Sequence, residues 1–310
     1  MTRAAARPAV KPQAPCPASL RTCLAQGSTT ASDTSRSDLC APPHDAFVLF
    51  DVLSPGECQS LMSQADALGY SFWHPTPGAS ETRFRNADTV EVTCPELAAA
   101  LWARLQRHVT AVVQLEEDTC ERGVQGTWAA VGVNPVLLFS RYTPGGHFSP
   151  HTDGNTVVDF NTRSLYSVIV YLNTCEDGSG GTTLFVPPTG VGNTPPGDAY
   201  STDEAHRLRW PPEWAVGTAP AQEGAVLVFQ QEVPHEGVPL GPGQTKYIIR
   251  TDIMYQRTPA LCDDASGRAA YMLVQQAAAA EADGHADMAA KLYRAAVREC
   301  PSLAHMVGIA

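Results

Sequence analysis

The chain has 310 residues, enough for one sizeable domain with appendages or for two small ones. Its hydrophobic fraction of 44% against 17% charged excludes a wholly disordered chain. A formal net charge of -11 argues against a protein that tracks phosphate backbones, so no nucleic-acid partner is expected. No apolar run approaches the roughly 18 residues needed to span a bilayer.

Residues 1–44 are rich in Ala, Pro, Ser and Thr, show no hydrophobic period, and read as a disordered tail. Arg3, Arg7, Lys11 and Arg21 precede the first acid, Asp33, a composition that also suits an organelle transit segment. A cytoplasmic or organellar location is expected. The nine cysteines are scattered without a C-x-x-C pair and read as thiols of a reducing compartment, with a few disulfides of an oxidising one as the alternative.

The folded region is expected over 45–258. Ala46 to Phe50 reads as a short buried strand. Ser54-Pro55-Gly56-Glu57 is a capping box with proline at the first helical position, followed by an apolar stripe at Cys58, Leu61, Met62, Ala65 and Leu68. Thr93-Cys94-Pro95-Glu96 reads as a second capping box, with Leu97, Leu101, Leu105 and Val109 facing a core. From Val136 to Met254 the pattern turns to short branched or aromatic strands separated by Gly/Pro turns. Helices followed by many short strands predict a sheet or barrel with helices on one face. Residues 187–222 interrupt this region with a Pro-rich insertion, and Trp210 and Trp214 favour its partial order. Residues 259–310 read as a C-terminal helical hairpin that resembles half of a tetratricopeptide-type unit. It is expected to pack on the core, or else to contact a partner.

His151-Thr152-Asp153 places an imidazole and a carboxylate two residues apart, on one face of an extended backbone. His235, after the apolar strand Ala225–Phe229, is the best third ligand. Two histidines and one carboxylate form the facial triad of non-haem iron(II) oxygenases, which leaves positions open for cosubstrate and dioxygen. Lys246 and Arg250 follow, four apart and on one face of a later strand. A buried cation there suits the far end of a dicarboxylate cosubstrate, and either residue could supply it. His147 is a spare candidate ligand, although a neighbour role in the loop that leads into His151 is the preferred reading.

The ordered motifs RYTPGGHFSPHTDG, YLN, GGTTLF, FQ…PHEG and GQTKYIIRTDIMY resemble the 2-oxoglutarate/iron(II) dioxygenase superfamily, and within it the catalytic domains of the prolyl 4-hydroxylase alpha-subunit type. The resemblance spans about residues 45–256. It implies a mainly β fold with flanking helices, built on a double-stranded β-helix (jelly roll) core. It assigns the metal to His151, Asp153 and His235 and the 2-oxoglutarate C5 carboxylate to Lys246. Tyr142, Tyr171 and Thr183 match positions that line the cosubstrate pocket. Fe(II) and 2-oxoglutarate are the implied cofactors, with L-ascorbate as an auxiliary. The implied reaction hydroxylates an unactivated C–H bond, on peptidyl proline or else on another side chain or a small metabolite, and releases succinate and CO2. The interval from Asp153 to His235 is long for this branch because of the insertion, which weakens any transfer of substrate. A non-catalytic jelly-roll binding module and a zinc-bound cupin-like enzyme are the competing readings.

Overall fold

The computed structural model describes residues 14–24, 34–76, 78–116, 124–176, 178–187 and 200–303. In chain order the elements begin with α1 (Ala18–Thr22), β1 (Ser35–Asp38), β2 (Ala46–Phe50), α2 (Pro55–Leu68) and β3 (Ser71–Phe72). Next come α3 (Ala79–Phe84), β4 (Arg85–Asn86), β5 (Asp88–Thr93), α4 (Pro95–Leu105), β6 (Val112–Leu115) and β7 (Gly126–Val133). β8 (Val136–Tyr142), β9 (His147–His151), β10 (Val157–Asp159), β11 (Thr162–Tyr171) and β12 (Thr182–Phe185) lead to a hairpin, β13 (Ser201–Thr202) and β14 (Leu208–Arg209). β15 (Ala215–Ala219), β16 (Val226–Gln230), β17 (His235–Gly237) and β18 (Lys246–Thr258) complete the strands, and α5 (Ala265–Ala282) and α6 (Ala286–Glu299) end the order.

The larger sheet runs β1-β2-β16-β11-β18-β8-β5-β3, and the smaller runs β15-β12-β17-β9-β4. Consecutive strands cross between sheets, so β8, β18, β11 and β16 lie in one layer and β9, β17, β12 and β15 in the other. Antiparallel pairing within each layer makes this a double-stranded β-helix, as expected from the sequence.

The strands read as near-continuous apolar runs because both faces of the larger sheet are covered. Val168, Val170, Val226 and Val228 pack against α2 and α4, with Leu61, Leu97, Leu101 and Leu105 opposite. The alternate residues Ile169, Tyr171, Leu227 and Phe229 point between the sheets. The hydrophobic period therefore delivers two cores, one under the helices and one inside the sandwich.

The box at the head of α2 is present: Ser54 Oγ accepts from Glu57 N–H, and the Glu57 carboxylate accepts from Ser54 N–H at 2.8 Å. Glu57 also meets Arg104 of α4 at 2.6 Å. Burial works to raise its pKa, yet the Arg104 guanidinium and the Ser54 amide hold it below the usual value. A depressed folded pKa contributes stability that is present above the unfolded pKa and lost as pH falls through the folded one. Glu57→Ala is expected to lower unfolding free energy by roughly 3–5 kcal/mol near neutral pH, because it strands a buried cation. The deficit relative to wild type should shrink on acidification, and chemical denaturation at several pH values checks both.

The structure corrects several expectations. The stretch 1–44 is not without structure in its described parts. Leu20 of α1 is fully buried against the helical core, and β1 pairs with β2 at the edge of the larger sheet. Its short polar strand, Ser-Arg-Ser-Asp, carries no apolar alternation for a sequence to show. Residues 1–13, which hold most of the transit-like composition, lie outside the described residues. The second capping box does not form; Cys94 is the N-cap of α4 and makes no side-chain cap bond, since Thr93 is still paired in β5. The insertion is shorter than 187–222. β15 is a true member of the smaller sheet, hidden in the sequence by its glycine and its exposed edge position. Trp210 is buried against Phe185, Tyr200 and Trp214. β6 and β7 were also not legible as strands.

Cys262 and Cys300 form a disulfide, so not all of the cysteines are thiols. The two lie 38 residues apart at the ends of the helical hairpin, a pairing that sequence spacing alone does not reveal. The hairpin packs on the core: Phe160 meets the Tyr271 ring edge-on at 4.9 Å, and Asn161 exchanges two hydrogen bonds with Leu261. No helix among the described residues is long and apolar enough to cross a membrane.

Candidate metal centre

The metal candidates come from the smaller sheet and from the loop that leaves it. His151 ends β9 and His235 opens β17, and the two are direct partners in the antiparallel register. Asp153 lies two residues past the end of β9, where the chain has left the strand. The three side chains nevertheless converge, with ligand atoms within 4.8 Å of one another. His151 Nε2 and His235 Nε2 are 3.8 and 3.7 Å from the two Asp153 oxygens.

The remaining hydrogen bonds orient each ligand. His151 Nδ1 meets the Ser149 carbonyl at 2.8 Å, and His235 Nδ1 meets the Val233 carbonyl at 3.2 Å. Both contacts place the ring proton on Nδ1 and leave each Nε2 lone pair facing inward. Burial pushes the His151 imidazolium down to about 3 and lowers His235 as well. Burial acts to raise the Asp153 pKa, but Arg250, the two imidazoles and a 2.5 Å hydrogen bond from Ser167 Oγ outweigh it and lower it. Neutral imidazoles and an ionised carboxylate are the forms that bind a metal. Two nitrogen donors and one oxygen donor on one side of a cavity fit a divalent iron with its remaining positions open.

The triad lines a cavity of about 260 Å³ between the sheets, as do Lys246, Arg250 and Tyr142. Lys246 is buried, donates to the Gly180 carbonyl at 2.7 Å, and lies 4.5 Å from the Tyr142 ring centroid. Gly180 can present that carbonyl because its φ of 69° suits glycine, and a Cβ there would sit 2.9 Å from Cys175 Sγ. Burial lowers the Lys246 pKa to about 8. No carboxylate pairs with Lys246 among the described residues. Arg250 differs: it contacts Asp153 at 3.4 Å and Asp252 at 3.0 Å. Asp252 is itself held by Asn134, Thr156 and Gln231. Of the two cations that β18 sends to the cavity, Lys246 has no carboxylate partner among the described residues, and Arg250 is held by Asp153 and Asp252.

Two of the expected pocket residues are displaced. Thr183 faces away, toward Thr218 at 3.2 Å, and the cavity wall is Thr182 instead. Thr182 pairs with Gly237 and Leu184 with His235, so strand alternation puts residues 182 and 184 inside and 183 outside. Tyr171 stands behind the wall and donates its hydroxyl to Thr182 Oγ1 at 2.7 Å. His147 is no ligand; it bonds the Arg83 and Gly145 carbonyls.

A bulge in β9 decides what joins the triad. His151 pairs with His235 but Phe148 pairs with Gly237, so two residues of β9, Ser149 and Pro150, oppose one of β17, Glu236. The extra residue brings Phe148 to the cavity face, where its ring stacks on His151 at 3.6 Å. Sequence alternation alone would have sent Phe148 outward. Arg85 and Ser167 were likewise missed, because neither lies in a recognisable motif. Arg85 reaches in from β4 and donates to Ser140 Oγ at 3.1 Å. On the outer side of β17, Glu236 binds Arg209 at 2.7 Å, which ties the insertion hairpin to the strand that carries His235.

Residues 137–251 match the family model described as the 2OG-Fe(II) oxygenase superfamily. No curated protein matches the chain significantly. Similar solved structures include the viral collagen prolyl hydroxylase of Paramecium Bursaria Chlorella virus-1 in complex with 2OG, at 18% identity over 68% of this chain and 96% of that one, with a TM-score of 0.37. A Pseudomonas putida prolyl-4-hydroxylase is 16% identical over 69% of this chain and 94% of that one, with a TM-score of 0.41. HygX from Streptomyces hygroscopicus, with nickel and 2-oxoglutarate bound, is 16% identical over 69% and 83%, with a TM-score of 0.43. The matched segment contains the whole triad together with Lys246 and Arg250, and over these residues the chain is similar to the 2OG-Fe(II) oxygenase superfamily.

Proposed function

We propose that the protein hydroxylates an unactivated C–H bond, with Fe(II) held by His151, Asp153 and His235 and the far carboxylate of 2-oxoglutarate held by Lys246. One observation carries this reading: a buried lysine with no acidic partner among the described residues shares a cavity with a two-histidine, one-carboxylate cluster. The zinc-enzyme alternative accounts for the cluster and leaves the lysine without a purpose. With dioxygen, the bound iron and 2-oxoglutarate supply the oxidising power, and the products are succinate, CO2 and the hydroxylated substrate.

The protein's own part is orientation. The two Nδ1 contacts hold each imidazole in one tautomer, and Arg250 with Ser167 holds the Asp153 carboxylate toward the histidines. Leu138, Ile169 and Ile248 give the cavity apolar walls that keep competing water from the reacting carbon.

The order of motifs supports a peptidyl proline as substrate, with L-ascorbate as an auxiliary reductant. A small metabolite is the second reading, favoured by the environment of Arg85. Succinate release from the Fe(II)-loaded chain, measured against prolyl peptides and small organic acids with and without ascorbate, tests both. Release stimulated by neither class would overturn the hydroxylase assignment.

A further inference from the structure

We propose that Arg85 binds the carboxylate of a small organic-acid substrate, in the same cavity as 2-oxoglutarate but at a separate point. The proposal rests on the oxygenase reading above and selects the substrate class.

The charges in and around the cavity lead to it. Three cations meet there: Lys246, Arg250 and Arg85. Two carboxylates answer them, Asp153 and Asp252, and both are taken by Arg250. Among the described residues, Lys246 Nζ donates to the Gly180 carbonyl alone and Arg85 donates to the Ser140 hydroxyl alone, with its Nε buried and without a hydrogen-bond partner. Among the described residues Arg85 makes no ion pair. A divalent iron and a doubly charged 2-oxoglutarate cancel each other, so the loaded cavity keeps one positive charge over. A half-buried guanidinium with a buried, unpartnered Nε favours an anion, and its planar fork matches a carboxylate.

The position is suited to substrate. Arg85 lies over the Phe148 ring at 4.6 Å, and that ring is stacked on His151, so the guanidinium stands one aromatic ring from the metal centre. It is also fixed. Trp73 donates its indole N–H to the Arg85 carbonyl at 2.6 Å and offers a second ring face at 5.9 Å. An arginine held between two rings keeps its fork aimed without a protein carboxylate to occupy it. The cavity, at about 260 Å³, must hold the cosubstrate as well as the reacting part of the substrate. That leaves space for a compact acid beside 2-oxoglutarate and little for a threaded chain.

The test uses the full chain loaded anaerobically with Fe(II) and saturating 2-oxoglutarate, so that the Lys246 position is filled. Benzoate and benzamide are the probes, and binding is read by calorimetry and by tryptophan fluorescence. Wild type is expected to bind benzoate roughly tenfold or more tightly than benzamide, since only benzoate carries the charge. Arg85→Met should remove that preference, and Arg85→Lys should restore part of it. Equal binding of the two probes by wild type overturns the proposal without need of any variant. So does an Arg85→Met protein that still prefers benzoate. A loss of 2-oxoglutarate affinity in Arg85→Met equal to that in Lys246→Met also overturns it, because Arg85 would then be a second anchor for the cosubstrate. Failure of the oxygenase reading looks different: in that case Lys246→Met leaves 2-oxoglutarate affinity unchanged.

Discussion

Asp153→Ala is expected to abolish 2-oxoglutarate-dependent succinate release and to weaken Fe(II) binding by about 100-fold or more. Loss of a residue that merely supports a ligand typically costs 10–100-fold in affinity or activity, and Asp153 is a candidate ligand itself. The electrostatic consequence adds to the lost bond. The carboxylate is what faces Arg250 at 3.4 Å, so its removal leaves a guanidinium beside the metal position with only Asp252 to balance it. Metal affinity follows from competition with a chromophoric chelator, and turnover from succinate after anaerobic reconstitution and exposure to oxygen. Ser167→Ala should act in the same direction by roughly tenfold, through loss of the bond that holds one Asp153 oxygen. An Asp153→Ala protein that turns over normally would end the metal assignment.

Lys246→Met should raise the KM for 2-oxoglutarate by roughly 30-fold or more, because truncating one partner of a buried, hydrogen-bonded charge pair costs about 2–5 kcal/mol. The same residue predicts a pH dependence. Burial brings the free ammonium down to about 8. Binding a carboxylate requires the protonated form and raises that pKa in the complex. Affinity should therefore be flat below about pH 8 and fall by up to about tenfold per unit above it. Lys246→Arg, which stays charged, should remove the alkaline fall even if its size weakens binding overall. Direct titration of 2-oxoglutarate into the metal-loaded protein between pH 6.5 and 9.5, values chosen to bracket the lysine, separates the cases. An alkaline fall that persists in Lys246→Arg would assign the titration elsewhere.

Much of the site was legible because its chemistry sits in short, ordered motifs. His151, Asp153, His235 and Lys246 meet as expected, and the alternation of Val168, Ile169, Val170 and Tyr171 announced a strand covered on both sides. The failures share a cause: they depend on register, which a single strand does not encode. The motif points to Thr183, but Thr182 faces the cavity, a slip of one residue that turns a side chain to the opposite face. Phe148 was missed because the β9 bulge appears only once β17 is laid beside it. Residue type alone leaves both Lys246 and Arg250 open and the resemblance favours Lys246; in the structure Asp252, a neighbour on the same strand, pairs with Arg250. Arg85 belongs to a two-residue strand with no pattern of its own.

The cross-strand pairing of His151 with His235 bears on how the protein acquires iron. Both imidazoles hang from rungs of one hydrogen-bonded ladder, so their separation is set by the backbone before any ion arrives. Metal uptake should accordingly resemble filling a rigid socket, with amide exchange along residues 147–151 and 235–237 already slow in the metal-free protein and the far-ultraviolet dichroism unchanged on loading.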